Sequence, residues 1–236
     1  FSPPSPDPSG ITYIPATNLL LVSDSEVDEM PNYFTGSNLF GVTLPGALAY
    51  TKTTLPSSKE PSDIAYNPTN GHLFVADDQK KIIFEINPGP DGAINTGDDI
   101  ITSFSTAAFN SMDPEGLDYD ANSGDLFISD GVNNEVYRVS PGNNGIFDGV
   151  ATSGGDDTVT SFDTAVNGIN DPEGVDFDPA TGHLILITNG SDTRMYEVTT
   201  SGVLVQTFDI AAANAMRLGS VVMAPGSTTP GVMNYY

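Results

Sequence analysis

The sequence predicts an all-β chain folded as a β-propeller of four-stranded antiparallel blades, five in number, with the last blade incomplete. Three observations carry this prediction. One motif begins at Asp7, Glu60, Asp113, Asp171 and, in degenerate form, Arg217, a spacing of roughly 50 residues that matches propeller blades. Each full unit holds short apolar segments of strand length separated by turn residues. No amphipathic helix lies between units, which leaves small antiparallel sheets as the building block. A two-sheet sandwich does not repeat whole four-strand motifs in this way. The expected organisation is an N-terminal arm, residues 1–6, followed by a single propeller domain, residues 7–236, with blades beginning near 7, 60, 113, 171 and 217.

Within a unit the elements follow in order. Ile64-Ala65-Tyr66 and Leu117-Asp118-Tyr119 read as a first short strand. A turn carrying Asn70-Gly71, Ser123-Gly124 or Thr181-Gly182 follows, residue types that supply positive φ in tight hairpins. Leu73 to Ala76 and Leu126 to Ser129 are apolar on both faces and read as a buried central strand. The third strand alternates, as in Glu135-Val136-Tyr137-Arg138-Val139. The fourth is Ile101 to Phe104, Val159 to Phe162 and Val205 to Phe208. The first unit fits less well, with Leu39 to Val42 in third place, and 211–216 is the one run allowed as a short helical turn. The fifth unit stops at Asn234-Tyr235-Tyr236, aligned with the middle of a second strand. Because ring closure protects sheet edges, the chain is expected to continue in a longer protein, a missing C-terminal segment or another chain completing the last blade.

Composition narrows the function. Seven Lys and Arg (Lys52, Lys59, Lys80, Lys81, Arg138, Arg194, Arg217) stand against 31 Asp and Glu, a formal net charge of −24. A phosphate backbone is bound by clustered cations, so nucleic acid and anionic membrane are excluded as partners. Carboxylates in excess suit a soluble surface, divalent cations or a cationic partner. No apolar stretch reaches membrane-spanning length, and no signal peptide is present in this chain. The absence of cysteine excludes disulfides, a thiolate zinc site and a cysteine nucleophile. A start at Phe1 suggests processing, and few Lys with many Asp, Gly, Ser and Thr point to an exported bacterial protein, extracellular or at the cell surface.

The repeated Pro-x-Gly-hydrophobic starts, the hairpin and the run LFISDGVNNEVYRV are similar to the NHL, YWTD and regucalcin/gluconolactonase-like propellers. They resemble most the exported bacterial propeller modules that accompany haemolysin-type calcium-binding repeats. The resemblance covers Asp7 to the end and implies the fold more than an activity. In regucalcin-like enzymes a Glu-Gly at the start of an inner strand helps hold a central divalent cation. Glu115-Gly116 and Glu173-Gly174 match that element here.

Two groups of acids are candidate ligands for Ca²⁺. The first lies in the insertions before the fourth strand, 87–104 and 140–162, each pairing a Pro-Gly start with Gly-Asp-Asp. Oxygen ligands on a glycine-rich loop suit Ca²⁺, which takes six to eight oxygens in flexible geometry. The candidates are Asp91, Asn95, Asp98 and Asp99 in one rim loop, and Asn144, Asp148, Asp156 and Asp157 in the other. The alternative group is axial: Glu115 and Glu173 brought to the central tunnel, joined by Asp24, Asp77 and Asp130, with Thr188 at the fourth equivalent place. Asp-Pro-Glu-Gly also has an architectural reading, since Asp7-Pro8-Ser9-Gly10 and Glu60-Pro61-Ser62-Asp63 keep the proline without the glutamate. His72 and His183 follow turn glycines and read as hairpin residues rather than ligands. With no Gly-x-Ser-x-Gly elbow, a Ser-His-Asp hydrolase is not expected. Asn189-Gly190-Ser191 fits a glycosylation sequon.

The expectation is therefore a non-catalytic binding or assembly module for a protein or carbohydrate partner, with Ca²⁺ as a structural cofactor. The alternatives are a metal-dependent hydrolase of esterase, lactonase or phosphatase type with an axial cation, and a polymerising structural protein that uses the edge of its last blade.

Overall fold

The computed structural model describes residues 4–189, 193–214 and 217–236. Four four-stranded antiparallel sheets follow one another in chain order. They are β1 to β4 (Pro8–Ile14, Leu19–Asp24, Leu39–Thr43, Leu48–Lys52), β5 to β8 (Pro61–Tyr66, Leu73–Asp77, Ile82–Asn87, Ile100–Ser105), β9 to β12 (Pro114–Asp120, Asp125–Asp130, Glu135–Ser140, Thr158–Asp163) and β13 to β16 (Pro172–Asp178, His183–Thr188, Arg194–Thr199, Leu204–Asp209). A two-stranded sheet of β17 (Met223–Pro225) and β18 (Met233–Tyr235) occupies the fifth position. The expected propeller is what forms.

The first hairpins of the second, third and fourth blades are built from the same parts. Asn67, Asp120 and Asp178 end the first strand and accept, through the side chain, the N–H of the residue two places on. Their carbonyls accept the N–H of Gly71, Gly124 and Gly182, each at positive φ, where a Cβ would be strained. The sequence admitted one helical turn. The structure has short 3-10 turns at Val27–Glu29, Thr106–Phe109, Ala151–Ser153 and Ala165–Asn167 as well as Ala211–Ala213. Such single turns carry no 3.6-residue periodicity, so pattern reading passes over them. Residues 215 and 216 of the expected turn lie outside the described residues, as do 190 and 191 of the sequon.

The apolar second strands are explained by packing, because each one feeds two interfaces. Leu73 and Val75 join Leu21, Leu39 and Ile64 between the first and second blades. Phe74 and Ala76, facing the other way, join Leu117, Leu126 and Ile128 between the second and third. Phe127 packs on Val175, Leu184 and Tyr196 of the fourth. The fifth unit closes the circle: Val221 packs on Ile185 and Ile187 of the fourth blade, and Val222 and Ala224 on Leu20 and Phe40 of the first. Burying each such side chain stabilises by about 1.5–3 kcal/mol, so stability is spread around the ring.

Candidate functional site

The first strands β1, β5, β9 and β13, with residues 218–223, line the axis. They come into contact at the fourth position of the motif: Gly10, Asp63, Gly116, Gly174 and Ser220. A Cβ on Gly10 would lie 2.6 Å from the Cα of Asp63, one on Gly116 2.8 Å from Gly174 Cα, and one on Gly174 2.9 Å from Ser220 Cα. Asp63 alone carries a long side chain in this collar. It accepts the backbone N–H groups of Ile11 (3.1 Å), Ile64 (2.8 Å) and Leu117 (2.8 Å), and the hydroxyl of Ser220 (2.9 Å). Burial pushes its carboxyl well above the usual carboxylate range, while these four donors act in the opposite direction. The sequence reading did not single out Asp63. Its break of the glycine pattern at a motif-equivalent place was the available signal.

On one side of the collar acids gather at the channel mouth. One oxygen each of Asp78, Asp113 and Glu115 lies within 4.8 Å of the others, Asp78 from the turn after β6, the other two at the start of β9. At the start of β13, Glu173 raises Glu115 by repulsion, and Asp171 raises both Asp113 and Glu115. Burial first, then Glu173, Asp113, Asp78 and Asp171, push Glu115 up to about 8. Burial followed by Asp171 and Asp113 pushes Glu173 to about 7, against a hydrogen bond from Asn189. Like charges this close either keep protons or take a divalent cation.

Asp24, Asp77 and Asp130 are buried just beneath and serve as backbone clamps. Asp24 accepts the N–H groups of Asp7, Glu26 and Val27. Asp77 accepts the N–H and ammonium of Lys80 and the hydroxyl of Ser58. Asp130 accepts the N–H groups of Met112, Asp113 and Asn133. Each carboxylate ties the turn after the second strand to the segment leading into its own blade. None of the three belongs to the Asp78–Asp113–Glu115 group.

The rim loops differ from one another. In the loop 88–99, Asp99 accepts the N–H groups of Asn95 and Thr96, and Asp98 the Thr96 hydroxyl (2.5 Å). That hydroxyl holds Asp98 below its usual range, while Asp91 caps the N–H of Ala93. Among the described residues these acids form no convergent group of three. In the loop 141–157, Asp148, Asp156 and Asp157 do converge within 4.8 Å, and Asn144 donates its amide to Asp148 (2.9 Å). A Cβ on Gly142 would fall on the Asp156 carboxylate, and one on Gly155 on that of Asp148, so the glycine backbone of the loop folds closely around the loop's acids. Asp157 accepts Gly149 N–H through Oδ2 (2.8 Å). Its Oδ1, in a residue only 5% exposed, has no hydrogen-bond partner. Phe147, unremarked in the sequence, pins this loop between the second and third blades, edge-on to Phe74 at 5.3 Å.

His72 and His183 each place Nδ1 2.6 Å from a glutamate on the neighbouring strand, Glu85 and Glu197. The third blade holds Asp125 and Arg138 in the equivalent place with the charge order reversed. These are cross-strand pairs.

The sheets, the shared axis and the ring closure define a β-propeller whose axis and one rim loop are lined with acid. No family model and no curated protein matches the chain. Among solved structures it is similar to Kuenenia stuttgartiensis hydrazine synthase (TM-score 0.52, 14% identity, covering 93% of this chain and 53% of that one). It is also similar to a chain of a nidogen/laminin complex (0.50, 14%, 91% and 68%). A third similar structure is the Myceliophteria thermophila Cps50 (Swd1) β-propeller domain (0.51, 9%, 98% and 96%). The chain spans about half the length of the hydrazine synthase chain, and at these identities the likeness is one of fold. No described helix is long and apolar enough to cross a membrane.

Proposed function

We propose that this chain is a calcium-stabilised β-propeller acting as a non-catalytic binding or assembly module, exported or displayed at the cell surface. The observation that carries the calcium reading is the loop 141–157, where three carboxylates converge and one of them, Asp157, has a buried Oδ1 without a hydrogen-bond partner. The donor set is all oxygen and the glycine backbone is flexible, which suits Ca²⁺ rather than a softer metal. Asp148, Asp156 and Asp157 would hold the ion, which would neutralise their repulsion and fix the loop. A protein partner is supported by apolar residues on outer strands, Ile100, Ile101, Leu204 and Val205, all exposed. Placement outside the cell rests on the acid-rich, lysine-poor, cysteine-free composition.

A second reading is favoured by Asp78, Asp113 and Glu115, whose convergence on the axis suits a metal-dependent hydrolase with a central cation. Calorimetric melting of metal-depleted protein, titrated with calcium, separates the two. Under the first reading Tm rises with calcium, by about 2.7 kcal/mol of stability at one hundred times Kd, and Asp156→Asn abolishes the rise while Glu115→Gln leaves it. The opposite pattern supports the axial cation. A Tm indifferent to calcium in all three proteins removes the calcium reading.

A further inference from the structure

Beyond the collar, at the opposite end from Glu115 and Glu173, the first strands open into a cavity of about 180 Å³. Its walls include Tyr13, Tyr66, Tyr119 and Phe177, one aromatic from the same motif position of each four-stranded blade, and its floor carries Asp118 and Asp176. Glu115 and Asp118 are three residues apart on β9, so the two acidic groups are separated by about 10 Å along the axis. Asp118 accepts the N–H of Phe177 at 2.7 Å, which sets its carboxylate beside Asp176 on the next blade. Asp176 is 5% exposed, and its Oδ2 has no hydrogen-bond partner. No basic residue lines the cavity. Burial, and then their mutual repulsion in the case of Asp176, raises both carboxyls above the usual range.

We infer that this channel mouth binds an alkylammonium group, with the free Oδ2 of Asp176 and the carboxylate of Asp118 as its counter-charge and the aromatic ring as its wall. A buried carboxylate oxygen without a partner carries an uncompensated desolvation penalty, which an N–H donor carrying positive charge relieves. The remaining contacts select among cations. A hard metal ion takes six or more oxygens, whereas here one oxygen of Asp118 is already used by Phe177 and much of the wall is aromatic ring and aliphatic carbon, beside Thr12 and Asn122. Aromatic faces and methylene-sized space instead suit the hydrocarbon next to an ammonium, with cation–π attraction added. The volume lies below the roughly 300–1,000 Å³ of drug-sized pockets, which limits the ligand to a chain of a few carbons. A free small amine and the end of a lysine side chain share that chemistry.

Isothermal titration calorimetry of the whole chain with n-butylamine, with lysine capped at both backbone ends, and with n-butanol as the uncharged control tests this. Both amines are expected to bind and the alcohol not. Asp176→Asn is expected to weaken the amines at least tenfold, while Asp157→Asn in the rim loop leaves them unchanged. Tighter binding of capped lysine assigns the site to a protein partner, and tighter binding of butylamine to a free amine. If Asp176→Asn does not fold, Tyr66→Leu is the second variant, expected to weaken the amines three- to tenfold through the lost ring face. Absence of amine binding, equal binding of the alcohol, displacement of amine by an equal concentration of calcium, or amine binding unchanged by the folded variant would each overturn the inference.

Discussion

The carboxylate of Asp63 in the second blade accepts the hydroxyl of Ser220 in the fifth unit at 2.9 Å, across 157 residues of sequence. The same side chain accepts the N–H groups of Ile11 and Leu117, so one residue fastens the first, third and fifth units to the second. In a ring whose units touch only their neighbours, such a clasp adds cooperativity that nearest-neighbour packing does not. Asp63→Ala leaves three buried N–H groups without an acceptor and is expected to lower stability by about 3–5 kcal/mol. Ser220→Ala, removing one hydrogen bond, is expected to lower it by about 1 kcal/mol. Urea unfolding measures both. A loss below 1 kcal/mol for Asp63→Ala would show that the collar closes without it.

The glycines of the collar make a sharper prediction because the obstacle is backbone. A Cβ on Gly116 would lie 2.8 Å from the Cα of Gly174 on the next blade, an atom that cannot turn aside. Gly116→Ala is therefore expected to destabilise by about 2–3 kcal/mol through overpacking. Gly97, with nothing within 4 Å of an added Cβ, is the control, and Gly97→Ala should change stability by no more than about 0.5 kcal/mol. Equal effects from the two substitutions would mean that the collar widens freely.

These residues also show what the sequence could and could not reveal. Strand order was legible because each blade repeats its apolar clusters, and Leu73 to Ala76 had to be buried on both faces. The acids were legible as a class and not as places. Asp24, Asp77 and Asp130 have the same residue type as Asp78 and Asp113, yet act as clamps because the turn after the second strand directs backbone N–H groups at them. Asp148, Asp156 and Asp157 were visible as a Gly-rich acidic loop, whereas Asp118 read only as part of a strand and Asp176 was not singled out. Each is one aspartate in an alternating strand, and only the ring closure makes them neighbours. The partners of His72 and His183 were hidden for the same reason, since strand register decides which residue lies across the sheet.

The axial acids give the protein a pH dependence of defined sign. Glu115 has its carboxyl raised from 4.5 to about 8 by burial and neighbouring charge. Between these values the folded protein holds a proton that the unfolded chain has lost, so unfolding releases it and stability falls as pH rises. The contribution is complete below about 4.5 and gone above about 8, with Glu173, raised to about 7, acting in the same direction. Asp98, Asp125 and Glu197 are held below their usual ranges. Their contributions are present above those ranges and lost as pH falls, outside this window. In chelator, Tm of the wild-type protein is expected to fall from pH 5 to pH 8, and Glu115→Gln to flatten that fall. A steeper decline in the variant would sink the assignment.

Phe147 sets the last prediction, because it joins the core to the acidic rim. Its ring is 5% exposed, edge-on to Phe74 at 5.3 Å and stacked on Phe104 at 6.2 Å, and it adjoins Asp148 in sequence. The loop is thus held from inside the molecule by an aromatic plug and, on the reading proposed above, from outside by a cation. Phe147→Ala is expected to lower stability by about 3–5 kcal/mol, the usual loss for a deleted core ring. Phe147→Leu, which keeps most of the volume, is expected to lose less than about 1.5 kcal/mol. If the plug positions Asp148 for the ion, the calcium-dependent part of the melting temperature should shrink in Phe147→Ala and persist in Phe147→Leu. Calorimetry with and without calcium on the two variants reads both effects, and an undiminished calcium response in Phe147→Ala would show that the acids converge without the plug.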